Sequence, residues 1–417
     1  MSSELVSMEH HRVSTPTLVD LVITEPQSGT VMIEQLNVSD GSITPPVDTF
    51  STLSSFHSIA TICKDVVPGW KAIVGDHALT DAIEIKQMVE GLSNQLFRVT
   101  LKGSSTPSLL NTVLFRIYGE HVSSFYNPEH ELRVFRTLSA LGIGPKMVAH
   151  GPGWRIEEFH EDSIPLPVSW LQNPSTFTQI ASILGRLHKI NRSSKFPDSE
   201  FVDRTPITLP RLDDWVREGL KALSTLPHHE ALYERLRIEQ VLPLVESLRS
   251  ELDGISHSEM VGKDVVFCHN DAQENNILVT PYGLRLIDFE YADFNYQFAD
   301  LGNIFNEFAI DYLYPEAPLF KGTPADYPSL DARRMFASVY LSEYWGRPVM
   351  DDKAESSAAI DQILELAEVG SLISHVLWGF WSLVRAQQQG GESSFDFVEY
   401  ARYRFDEFIA KATSHNW

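Results

Sequence analysis

Asp271, Asn276 and Asp288 are the side chains whose types and spacing point most directly to chemistry in this 417-residue chain. Asp271 and Asn276 stand five apart in His269-Asn270-Asp271-Ala272-Gln273-Glu274-Asn275-Asn276, and Asp288 follows two short apolar runs. Phosphoryl transfer to a hydroxyl needs such a set. One carboxylate orients the attacking hydroxyl and takes its proton, while a second carboxylate and an amide oxygen hold Mg²⁺ on the nucleotide phosphates. The expected roles are therefore Asp271 as base, Asn276 and Asp288 as metal ligands, Mg²⁺ as cofactor and ATP as co-substrate. A polar loop that merely caps a sheet is the plainer reading of an Asp and an Asn at this spacing. The apolar runs on both sides and the second Asp at a strand end weigh against it.

Strands must hold these groups. Val265 to Cys268 has the length and β-branched content of a buried strand. The runs Ile277 to Val279 and Leu284 to Ile287, split by the turn signal Thr280-Pro281-Tyr282-Gly283, complete a hairpin-like element with polar residues at both mouths. Upstream, Ala82 to Val89 alternates as a strand and breaks at Glu90-Gly91-Leu92-Ser93-Asn94, before strands at Gln95 to Leu101 and Thr112 to Tyr118. Strand, glycine turn, strand and a basic residue in the third strand form the layout of a nucleotide-binding lobe. Backbone N–H groups of Gly91, Leu92, Ser93 and Asn94 would approach phosphates where side chains are small. Arg116 lies between apolar neighbours in the third strand, so its charge needs a partner or a ligand. Glu131, early in a helix spanning Pro128 to Leu141, is the candidate partner.

A second chemical signal lies near the C-terminus. Ile360 to Val384 is a helical pattern apolar nearly all round, and Trp378 and Trp381 share one of its faces. With Tyr312 and Tyr400 they would form an aromatic box, and Glu307 is the candidate carboxylate beside it. Quaternary ammonium has no N–H to donate and is held by aromatic faces with an anion nearby. Core packing is the plainer reading of a Trp pair on an apolar helix. Gly379 between the two costs about 1 kcal/mol of helix stability relative to Ala, which points to close packing or a ligand.

The central stretch resembles the choline/ethanolamine kinase family. The resemblance is carried by His269-Asn270-Asp271, Asn276, Ile287-Asp288-Phe289-Glu290-Tyr291, Asn295 and Asp300, and by Leu377-Trp378-Gly379-Phe380-Trp381. It extends from about residue 82 to the C-terminus, and Asn270 stands where the general kinase loop has Arg. It departs from the family at Glu90, where Gly-Gly is usual. The resemblance implies an α+β, bilobal protein-kinase-like fold with a small antiparallel-sheet N-lobe and a mainly helical C-lobe. It implies transfer of the ATP γ-phosphoryl group to choline or ethanolamine, at the first step of phospholipid head-group synthesis. It also implies that Glu158 and Phe159, at the crossing between lobes, meet the adenine, and that Gln273 assists near the γ-phosphate. Gln273 resembles the choline enzymes and makes choline the favoured acceptor, with ethanolamine second. Asn303 to Phe308 looks more like the ethanolamine enzymes and leaves an ethanolamine kinase with choline as minor substrate as the alternative. Aminoglycoside- or fructosamine-type kinases share the Asp, Asn, Asp core without the paired Trp. A non-catalytic nucleotide-binding protein on the same fold is the reading from another class.

The formal net charge of −23 argues against nucleic acid, whose phosphates a binder must neutralise with Lys and Arg. Two cysteines, Cys63 and Cys268, fit a reducing compartment rather than a disulfide framework. No apolar run of membrane-spanning length and no secretory signal is read from the sequence, so the expectation is a cytoplasmic protein. A homodimer is left open. The organisation expected is a disordered Ser/Thr/Pro-rich extension over 1–55, a nucleotide-binding N-lobe over 56–160, and a helical C-lobe over 161–417 holding the catalytic loop and the amino-alcohol pocket. Within the latter, helices are expected at Phe177 to Ile190, as one or two amphipathic helices across 211–252, and at Phe395 to Ala412, with His188 as a core histidine.

Overall fold

The computed structural model describes residues 55–88, 94–103, 110–118, 127–351, 353–389 and 395–414. The expected extension up to residue 54 and the turn residues Gly91, Leu92 and Ser93 lie outside the described residues.

The N-lobe is built on one antiparallel sheet. Helices α1 (Phe56–Val66) and α2 (Trp70–Val74) precede strands β1 (Ile83–Met88), β2 (Asn94–Leu101) and β3 (Thr112–Tyr118); helix α3 (Pro128–Ala140) precedes β4 (Met147–Gly151) and β5 (Trp154–Glu158). The strand order is β1-β2-β3-β5-β4. Alternation along β3 separates two jobs. Val113, Phe115 and Ile117 enter an apolar core with Ile59, Cys63 and Trp70 of α1 and α2. Leu114 and Arg116, on the opposite face, line the cleft between the lobes.

The C-lobe begins with the two-residue strand β6 (Ile164–Pro165) and helix α4 (Pro174–His188). The predicted helical stretch 211–252 forms three helices, α5 (Thr208–Thr225), α6 (His229–Arg235) and α7 (Ile238–Ser256). Strands β7 (Val265–Cys268), β8 (Ile277–Thr280), β9 (Gly283–Leu286) and β10 (Asp293–Tyr296) carry the central stretch, followed by α8 (Gln297–Glu307), α9 (Leu330–Trp345), α10 (Ala354–Gln389) and α11 (Phe397–Ser414). The central element is less of a single hairpin than expected. β8 and β9 do form one, with Thr280 opposite Gly283 across the Pro281-Tyr282 turn. β7 pairs instead with β10. The polar loop from His269 to Asn276 therefore bridges two small sheets.

α10 runs through the centre of the lobe for 36 residues. It crosses α8 where Gly302 meets Gly370: a Cβ on Gly370 would lie 2.1 Å from the Phe298 carbonyl oxygen. Gly379 also answers to packing, since a Cβ there would lie 2.4 Å from the Phe405 ring of α11. Contrary to the expectation of no such segment, α10 is long and apolar enough to cross a membrane, but 89% of its most apolar window is buried inside the protein. It is a core helix. Its N-terminal part, Ala359 to Ala367, joins a cluster with α4 and α9, and its C-terminal part, Leu366 to Leu383, a cluster with α5, α7 and α11.

Candidate active site

Asp300, in the first turn of α8, fixes the loop that follows β7. Its carboxylate accepts the backbone N–H groups of His269 at 2.7 Å and Asn270 at 2.6 Å, and its Oδ2 lies 2.9 Å from Nε2 of His188. Burial alone would raise its pKa, but the hydrogen bond and charge from His188, with help from His269, hold it below the usual carboxylate range. His188 is thereby a core residue, as expected, with its other nitrogen 2.6 Å from the Tyr340 hydroxyl. These bonds engage both ring nitrogens, so the nearby group of His188, Cys268 and Asp300 is a hydrogen-bond network rather than a cation site.

Asn270 takes a left-handed conformation (φ 62°), which an Asn tolerates better than most residues. Its side chain donates to the Tyr291 carbonyl at 3.1 Å and accepts from Asn295 Nδ2 at 2.8 Å. The loop is thus held from behind, with Asp271 facing a cavity of about 620 Å³ between the lobes. Asn276 Nδ2 donates to the Asp271 carboxylate and to its carbonyl, both at 2.9 Å. With its amide nitrogen so committed, Asn276 has its oxygen to offer a ligand. Asp288, also left-handed at φ 58°, reaches the same cavity from the end of β9.

Asp271 is pushed well above its ordinary carboxylate range, first by burial and then by the charges of Glu307, Glu290 and Asp288. Gathered oxygens of this kind suit a hard divalent cation, which would relieve the mutual repulsion. Asn276, Asp288 and Glu290 are among the oxygen donors that line the cavity and could serve one. Sequence reasoning passed over Glu290, although it stands two residues after Asp288, within the same motif.

The basic residue of β3 has other partners than expected. Arg116 reaches Glu157 at 3.3 Å and Asp288 at 3.5 Å, whereas Glu131 pairs with Arg155 at 2.5 Å. The register explains the correction: Arg116 and Arg155 are cross-strand partners in β3 and β5. Two guanidiniums side by side need carboxylates, and Glu157 reaches both, at 3.3 and 3.4 Å. Glu131, coming from α3, takes the deeper Arg155, which also lies over the Phe135 ring. Glu157 was missed, though it lies two residues from Arg155 and hence on the same face of a strand. Asn94, Arg116, Glu158, Phe159 and Gln273 line the cavity; Glu131 does not.

At the other end of the cavity stand Trp378, Trp381, Tyr312 and Tyr400, together with the unforeseen Tyr291, Phe395 and Phe397. The Trp rings meet edge to face with centroids 5.4 Å apart, and Tyr291 meets Trp378 at the same distance. Trp381 donates its indole N–H to the Tyr291 hydroxyl at 3.0 Å. Glu307 departs from expectation. It lies behind the cage wall at 2% exposure and outside the cavity lining, accepting from Arg404 at 2.6 Å and from the Tyr312 hydroxyl at 2.8 Å. The fully buried Arg404 of α11 requires that counter-charge, so Glu307 orients Tyr312 rather than facing a ligand.

Comparison with known proteins agrees with the geometry. The family model described as choline/ethanolamine kinase matches residues 85–409. A choline/ethanolamine kinase of Rattus norvegicus is 30% identical over 359 residues, covering 83% of this chain and 84% of that protein. Ethanolamine kinase 2 of Mus musculus is 26% identical over 394 residues, covering 92% of this chain and 91% of that protein. Among solved structures, a choline kinase from Cryptosporidium parvum superposes with a TM-score of 0.71 at 36% identity, covering 86% of this chain and 96% of that one.

Proposed function

Since the chain belongs to the choline/ethanolamine kinase family and is a kinase, we propose that it moves the γ-phosphoryl group of ATP to the hydroxyl of choline and of ethanolamine. The products are the phosphomonoester, ADP and a proton. The observation that carries this reading is that Asp271, Asp288 and the Trp378–Trp381 pair line one continuous cavity.

Each residue's task follows from its place. Asp271 accepts the hydrogen bond of the substrate hydroxyl and takes its proton as the P–O bond forms. Asn276 fixes that carboxylate through its Nδ2. The Asn276 oxygen, Asp288 and Glu290 would hold Mg²⁺, which when bound offsets charge on the phosphates. Arg116, kept in place by Glu157, positions the phosphates, and Gln273 assists beside them. Glu158 and Phe159 border the nucleotide base. The aromatic cage holds the ammonium head, and Glu307 acts on it through Tyr312. The reaction supplies phosphorylated head groups for phospholipid synthesis, and a cytoplasmic location suits its soluble substrates.

Steady-state ADP release with choline and ethanolamine side by side, at fixed Mg-ATP, tests the proposal. Saturable, acceptor-dependent ADP release is expected with both. ATP binding without turnover on either would leave a nucleotide-binding protein instead.

A further inference from the structure

Arg385 puts a fixed positive charge into a cage suited to cations. It follows Trp381 by one turn of α10 and lines the same cavity. Its guanidinium carbon stands 5.7 Å from the centroid of the Trp381 ring and 5.8 Å from that of Phe397. Its Nη1 donates to Gln388 Oε1 at 3.1 Å, which ties it to the rim. Burial pulls its pKa down, while Tyr291 and Glu290 pull it up, and a guanidinium remains charged throughout the physiological range. Two of the rings facing the cavity therefore already carry a protein cation.

The two classes of ammonium feel this differently. A trimethylammonium head has no N–H and depends on ring faces for its binding. A primary ammonium carries three donors and can use oxygen acceptors, such as the hydroxyls of Tyr291 and Tyr400 in the same cavity lining. We propose that Arg385 is a specificity-determining residue: by occupying Trp381 and Phe397 it weakens the hold on a quaternary ammonium more than on a primary one. The inference rests on reading this end of the cavity as the amino-alcohol site.

Calorimetric binding of choline and of ethanolamine to full-length wild type, Arg385→Gln and Arg385→Lys tests it without requiring turnover. Freeing two ring contacts should tighten choline by about 5-fold in Arg385→Gln while ethanolamine changes by less than about 2-fold. Arg385→Lys, which keeps the charge, should stay near wild type, and the KM for choline should follow the binding constant. Arg385→Met serves as the neutral variant should Arg385→Gln fold poorly. Equal gains for both ligands, no gain for choline, or no cation binding by any form would overturn the inference. Binding that behaves as expected, in a wild type that releases no ADP, would sink the kinase reading and leave the inference standing.

Discussion

Asn303 accepts the indole N–H of Trp378 at 3.0 Å. The same amide donates through Nδ2 to the Ala272 carbonyl at 3.2 Å, beside Asp271, and its oxygen also takes the Ser374 hydroxyl at 2.8 Å. One buried residue of α8 thus ties Trp378 to the loop that carries Asp271. Asn303→Leu leaves the indole N–H and the Ala272 carbonyl without this partner, a loss of about 1–3 kcal/mol. The KM for the amino alcohol should rise by roughly 10-fold and that for ATP far less. Initial-rate kinetics with each substrate varied in turn measure the difference.

Arg116 gives a second test, because its partners separate chemistry from scaffolding. On the proposed reading, Arg116→Ala removes a charge that positions the phosphates and should lower kcat by about 10²-fold or more. Glu131→Gln breaks only the buried pair with Arg155. It should lower the melting temperature with a smaller effect on kcat. Thermal unfolding alongside turnover distinguishes the two, and equal kinetic losses would return Glu131 to the phosphate site.

His375 predicts a pH dependence of stability. It lies in α10 at 2% exposure, and burial, followed by the charges of Arg404 and Lys411, holds its pKa well below its ordinary 6.5. Below that pH the unfolded chain takes up a proton there and the folded chain does not. Its contribution is therefore full above about pH 6.5 and falls by about 1.4 kcal/mol per pH unit as the solution becomes more acid. Urea unfolding from pH 7.5 to 5 should show a shallower loss for His375→Gln than for wild type.

Local pattern in the sequence was enough for the first three N-lobe strands and for the Pro281-Tyr282 hairpin, where period-two alternation and a turn signal agree. It failed where pairing is decided at a distance. Nothing in Asp293–Tyr296 announces that it pairs with Val265–Cys268. No local rule tells Glu131 to choose Arg155, because the choice depends on two strands bringing their arginines together. α9 went unread: its apolar positions, such as Phe336, Tyr340 and Tyr344, are interspersed with Arg and Ser, and only packing against α4 shows its inner face. In the site, residue types at short spacing identified Asp271, Asn276 and Asp288. Glu307 was misplaced because its partner, Arg404, lies 97 residues away.

The account depends most on Asp271 as the group that receives the substrate proton. Asp271→Asn keeps the shape and can still bond Asn276, but it cannot serve as a base. Turnover of choline and ethanolamine, with ATP affinity measured on the same preparation, is the decisive experiment. ADP release should fall by about 10²–10⁴-fold while ATP binds as before. Turnover within about 10-fold of wild type, which is too small a loss for a missing general base, would contradict it.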